Sequence, residues 1–263
     1  MTFRKCNPLY GYRWFRQGIA FFLRQPWPWL ALVGMAFLAT TILVTLPLLG
    51  MMAVYLLLPG LTAGLMLGAR DVARDQPLRF PCLIAAFKQA PRPLVGVGGI
   101  NFLATLAASL LLSLGWGAEF QKLLELANSP APDVLLIEAA LRELTVPSLL
   151  NAVFVFVLTM ANWFAPALIV FRGEGAASAM LGSMKASIAN FWPFLIYSLL
   201  FLALLVGLSV MLGLVIKLLN GVFGQGLGIG VLLIFPLVCA LFAQMLAAMY
   251  VSYGDVFEAE EKA

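Results

Sequence analysis

"FLRQPWPWL", Phe22–Leu30, sets a basic residue, an amide and two prolines directly before a long apolar run. The order recurs in "FKQAPRPLV" (Phe87–Val95) and, with Asn190 replacing the base, in "ANFWPFLIY" (Ala189–Tyr197). Proline is tolerated in the first turn of a helix, where its missing N–H would have had no partner. The residue before a proline disfavours αR geometry, so the chain breaks direction there. Each copy reads as a corner where a short surface helix turns into a membrane span. Arg24 and Lys88, just before their corners, are candidate contacts to lipid headgroups, with Trp29 and Trp192 as anchors at headgroup level.

The runs that follow are long enough to cross a bilayer, which takes about 20 apolar residues at 1.5 Å rise each. The chain of 263 residues is 63% hydrophobic and 11% charged, with a mean hydropathy of +1.00. A soluble domain carries about 25% charged residues. Six spans emerge, at about 27–49, 51–68, 94–116, 148–171, 192–215 and 228–250. The first two run almost into one another, and their combined length is about twice a membrane's thickness, so a tight hairpin is required around Pro47–Gly50. Spans two, four and six each carry an internal proline, Pro59, Pro166 and Pro236. The expected fold is therefore an all-α polytopic membrane protein of six transmembrane helices, arranged as three hairpin repeats, each preceded by an interfacial helix. Residues 1–254 form one membrane domain, with an outer amphipathic hairpin at 117–146. Residues 255–263 read as an acidic cytoplasmic tail without fixed structure.

Charge sets the orientation. Thirteen of the sixteen Lys and Arg fall before the first span, between spans two and three, between four and five, or after the last. By the positive-inside rule both termini are cytoplasmic. The net charge of +4 belongs to residues flanking apolar spans, so it points to anionic lipid and not to nucleic acid. No small-residue cleavage site follows the first apolar run, which reads as a retained span and not a signal peptide. Cys6, Cys82 and Cys239 are scattered and read as free thiols.

Reactive chemistry is hard to find. The chain has no histidine, and no Asp, Glu, Lys or Arg falls in mid-span. Intramembrane ionisable groups mark proton relays, ion coupling and voltage sensing. Neither catalytic nor metal-binding residues are expected, and no cofactor. The glycine-rich Gly221–Gly230 follows no strand and reads as a turn. Gly60, Gly64 and Gly68 form a GxxxGxxxG groove for close helix packing, within the monomer first and across a homo-oligomer seam second. Among the few polar residues inside spans, Asn162 beside Trp163 and Pro166 is the candidate polar pathway, since a proline frees a carbonyl one turn back.

The stretch "NWFAPALIVFRGEGAASAMLGSMKASIANFWPFLIY" (Asn162–Tyr197), with the earlier "PLLGMM" and "LLPGLTAGL", resembles a group of uncharacterised proteobacterial inner-membrane proteins. These in turn resemble the membrane domain attached to some glycerophosphodiester phosphodiesterases. The resemblance implies a multi-span inner-membrane protein. The phosphodiesterase's catalytic barrel, with its metal-binding carboxylates, has no counterpart here, so no enzymatic role carries over.

The reading that follows is a non-enzymatic inner-membrane protein: a scaffold, assembly partner or lipid-organising subunit of the cell envelope. Its expected partners are membrane lipids and either further copies of itself or another membrane protein. The alternative is a passive transporter or channel for a small uncharged or lipid-like substrate. An intramembrane enzyme acting on lipids would show clustered Asp, Glu or His near headgroup level, and the sequence has no such cluster.

Overall fold

The computed structural model describes residues 2–47, 49–129, 133–223 and 229–258. Among the described residues every regular element is helical. Each proline corner separates a short helix from a long one. The short helices are α1 (Tyr10–Arg24), α4 (Cys82–Gln89) and α9 (Ala176–Ala189). They lead into α2 (Pro26–Val44), α5 (Pro91–Ala127) and α10 (Phe191–Phe223). The return spans are α3 (Leu49–Ala73), the pair α7 (Thr145–Trp163) and α8 (Ala165–Arg172), and α11 (Ile229–Tyr253). One further helix, α6 (Val134–Glu143), lies between α5 and α7. Six helical segments, with α7 and α8 counted as one, are long and apolar enough to cross a membrane.

The corners share one backbone geometry. Gln25 lies at φ −143°, ψ 64° and Ala90 at φ −144°, ψ 60°, with Asn190 close by at φ −109°, ψ 31°. In the first two copies the proline pair occupies the first turn, as its missing N–H favours. The third residue after each corner's first helical position (Trp29, Leu94 and Phe194) turns inward against the core.

Contacts between repeats pass around a closed cycle. Short helix α4 packs on return span α3, α9 on α7 and α8, and α1 on α11. An amide at or beside each corner fixes the lead-in of the next repeat. Gln25 Nε2 donates to Gln76 O (3.0 Å), and its Oε1 accepts from Leu78 N–H (2.8 Å), just before α4. Gln89 Nε2 donates to Val170 O (2.6 Å), at the end of α8 before α9. Asn190 closes the ring: its Oδ1 accepts from Cys6 N–H (2.7 Å), and its Nδ2 donates to Arg4 O (3.1 Å). A one-to-two, two-to-three, three-to-one hand-off is what a threefold arrangement of repeats requires, and an inverted pair would not give it.

Several boundaries differ from expectation. Span three was expected to end at residue 116, and the helix does kink there, with Trp116 at φ −141°, ψ 19°. It then continues to Ala127, because glycine is the only weak helix former near the kink and no proline stops it. The outer hairpin 117–146 is thus an extension of α5 plus α6, tied by Lys122 to Glu143 at 3.7 Å. On α6 the residues Val134 and Leu141 are exposed, while Ala140 and the following Leu144 are buried. Glu138 and Arg142 form an i,i+4 pair on α6, Arg142 Nη2 donating to Glu138 Oε1 at 2.7 Å.

The tail is corrected as well. Residues Gly254–Glu258 form a π-helical turn with Val256 and Phe257 buried. Asp255 accepts from Trp14 Nε1 (3.0 Å) and pairs with Arg13 (3.3 Å), and Arg4 N–H donates to Val256 O (2.8 Å). The acidic letters suggested solvation, but Asp255 has a buried indole N–H and a guanidinium to meet, and the Phe257 ring has Phe164 and Tyr253. Residues 259–263 lie outside the described residues, as do 224–228 of the glycine-rich turn. Both described chain ends therefore meet on one face, called here the terminal face. The face bearing α6 is the hairpin face.

Candidate functional site

The ring of spans is densely packed at the terminal face and loose elsewhere. Return span α3 packs along α5, and α11 along α2. The third equivalent is missing, since α7 and α10 do not pack along one another among the described residues. Span α10 is held through its first turns: Gly11 lies against Pro193, Phe194 edges onto Trp14 and Trp163, and the Tyr197 hydroxyl reaches Gln244 Oε1 (3.3 Å).

Inside the ring lies a cavity of about 630 Å³ lined by α2, α3, α5, α7, α8 and α11, with nothing from α10. That volume is within the range of ligand pockets. Its walls are apolar side chains such as Val33, Phe37, Leu58, Leu158, Phe242 and Met245, and none of the lining residues is charged. Asn101 and Asn162 sit about 15 Å along their spans from the terminal-face ends, near the middle of a hydrocarbon layer about 30 Å thick. They form a reciprocal amide pair: Asn101 Nδ2 donates to Asn162 Oδ1 (2.8 Å), and Asn162 Nδ2 to Asn101 Oδ1 (3.0 Å). Below them the floor is aromatic. Trp163 edges onto Phe194 and Tyr197, and its Nε1 donates to Ser252 Oγ (3.1 Å).

The proline break next to this pair is repaired by protein. The helix is interrupted at Phe164 (φ −102°, ψ −14°), between α7 and α8 and ahead of Pro166 in the first turn of α8. Ser183 Oγ accepts from Phe164 N–H (2.9 Å) and donates to Met160 O (2.7 Å), and Ser187 reaches the same carbonyl (3.3 Å). Freed backbone groups at membrane depth need such partners. The sequence reading placed the break correctly and missed the two serines, whose spacing of four on α9 was the available signal.

The other sequence candidates fall in different places. Gly60, Gly64 and Gly68 are buried, and a side chain on any of them would run into Phe87, the Cys82–Leu83 backbone or Leu78. The stripe admits short helix α4 within the protein, so it offers no seam to a second copy. Trp29 is a correction: it is 0% exposed and cannot anchor a headgroup, because its turn of α2 faces the core. The outward tryptophan of that corner is Trp27, 79% exposed, in the position that Trp192, 62% exposed, holds in the third copy. Lys88 is exposed. Arg24 is engaged, stacking on Phe21 (5.1 Å) and pairing with Asp75 (3.6 Å). Cys6 lies outside the spans; burial first, then the Asp255 carboxylate, push its thiol up to about 11, which leaves it little thiolate at neutral pH.

Fold and cavity define a class, a six-span helical membrane protein with an uncharged internal chamber. The chain is similar to a probable inner membrane protein of Burkholderia thailandensis, 26% identical over 257 residues, covering 95% of this chain and 92% of that one. No family model matches the chain, and no solved structure matches it at a significant level. The likeness and the six apolar spans together support a multi-pass inner-membrane location.

Proposed function

We propose that the protein is a non-catalytic, lipid-organising component of the inner membrane, whose central cavity holds lipid hydrocarbon. The observation that carries this reading is the cavity of about 630 Å³, apolar on most of its wall and free of charged lining residues. Apolar chains are favoured in such a chamber, and ions are not. The open side between α7 and α10 suits lateral exchange with the bilayer. A channel reading needs a path through the terminal face, where Trp163, Phe164, Phe194 and Tyr197 pack edge to face. The basic terminal face fits a cytoplasmic location for both ends. Reporter fusions after Ala90 and Met184 then behave as cytoplasmic and one after Ala131 as exported; an exported reporter after Ala90 reverses the orientation.

Native mass spectrometry of protein extracted in mild detergent tests the cavity. Wild-type protein retains a lipid adduct. Ala36→Trp and Thr62→Phe, which fill the chamber from α2 and from α3, lose it while staying monodisperse. An adduct of unchanged abundance in both folded variants rules the cavity out as its site.

A further inference from the structure

The polar groups of the chamber are not scattered. On α7, Asn151, Val155, Leu158 and Asn162 line the cavity at spacings of four, three and four, which is one helix face. On α5, Asn101 and Thr105 lie one turn apart and line it too. The other walls contribute Thr40, Thr62 and Tyr55; both threonine hydroxyls donate to carbonyls of their own helices (Ala36 and Phe37; Leu58), and the Tyr55 ring lies edge to face with Phe102 of α5 (5.8 Å). The α5–α7 seam therefore carries most of the chamber's polar groups. It runs from the amide pair at mid-depth towards the hairpin face.

Part of that edge is unused. Asn162 spends its amide on Asn101 and on Leu158 O (2.7 Å), and Thr159 donates to Val155 O (2.8 Å). Thr105 and Asn151 have no hydrogen-bond partner among the described residues. Thr105, about 21 Å along α5 from its terminal-face end, lies inside the hydrocarbon, where a hydroxyl without a partner is costly; Asn151 is exposed and lies about 10 Å further out, at the hairpin-face end of the seam. Together they offer both donors and acceptors, which complements a hydroxyl or an ester. The seam offers no positive charge, so a carboxylate or phosphate drawn down to Thr105 would have no counter-ion.

We infer that the α5–α7 seam reads an uncharged head, and that the lipid it selects is neutral: hydrocarbon chains joined to ester and hydroxyl groups, as in a diacylglycerol. This rests on the reading of the cavity as a lipid site. The head lies along the seam between Thr105 and Asn151, the chains fill the chamber beside Leu58 and Phe242, and the lipid arrives laterally on the side where α7 and α10 do not pack together. An anionic phospholipid places its chains there and leaves its charged head at the hairpin-face boundary, within reach of Asn151 and short of Thr105.

The test is a titration of the purified full chain with dioleoylglycerol, oleic acid and dioleoylphosphatidylglycerol, followed by native mass spectrometry. Wild type prefers dioleoylglycerol by roughly tenfold over each anionic lipid, the worth of about one good hydrogen bond. Thr105→Val with Asn151→Leu removes two groups that hold nothing in the fold, and it brings the three affinities within about threefold of one another. The conservative pair Thr105→Ser with Asn151→Gln keeps the preference. No preference in wild type, or a preference unchanged by the apolar pair, overturns the inference. Binding of all three lipids that Ala36→Trp and Thr62→Phe both fail to weaken overturns the cavity reading itself, which separates the two failures.

Discussion

The two halves of this bundle are built on different principles. At the terminal face each short helix packs on the preceding repeat beside an amide clamp, and edge-to-face rings hold α1 and α8 to the first turn of α10. Towards the hairpin face the same spans present Leu, Val and Phe outward, α10 does not pack along α7, and the spans surround an open chamber. In lipid, burying apolar surface gives little driving force, since the tails are as apolar as the side chains. Stability must come from close packing and hydrogen bonds, and these are concentrated in the terminal half. The other half is left free to exchange contacts with lipid.

Glycine makes the sharpest contrast. Gly64→Ile forces a branched side chain into the Cys82–Leu83 backbone and is expected to cost about 3 kcal/mol or more in detergent. Gly207→Ile on α10, where nothing lies within 4 Å, is expected to be neutral or slightly stabilising. Thermal melts of the two proteins check this, and equal melting points would erase the distinction between the halves. The amide clamps come next. Asn190→Ala strands the Cys6 N–H and the Arg4 carbonyl, with an expected loss of about 2–3 kcal/mol, whereas Asn151→Leu stays within about 0.5 kcal/mol. Asp255→Ala releases Trp14 and Arg13 at a cost of about 2 kcal/mol, and a protease should then clip the chain's end faster. The smallest effect belongs to the hairpin face: Arg142→Ala breaks an exposed i,i+4 pair and shifts stability by less than about 0.5 kcal/mol.

The corners were legible in the sequence because proline constrains both itself and its predecessor, and the three copies share that constraint. Span number and the position of the proline breaks followed from the same local rules. What the letters did not reveal depends on partners far along the chain. The amides Gln25, Gln89 and Asn190 were visible beside every corner, yet their acceptors lie up to 186 residues away. Trp27 and Trp29 are equally plausible anchors by type, and only the turn of α2 against the core decides that Trp27 faces out. Asp255 read as tail because its indole and guanidinium partners sit on α1. Of the chamber, Asn162 and Trp163 stood out through Pro166, while the pairing with Asn101 needed the fold.

The chamber is the claim on which the functional reading stands, and its occupant can be observed directly. A cryo-EM structure of the protein in nanodiscs of its native lipids is expected to show continuous tubular density running from the Asn101–Asn162 pair past Thr105 and Asn151 towards the gap between α7 and α10. A structure in which α7 packs along α10 and side chains fill the space between Leu58, Leu158 and Phe242 would contradict it.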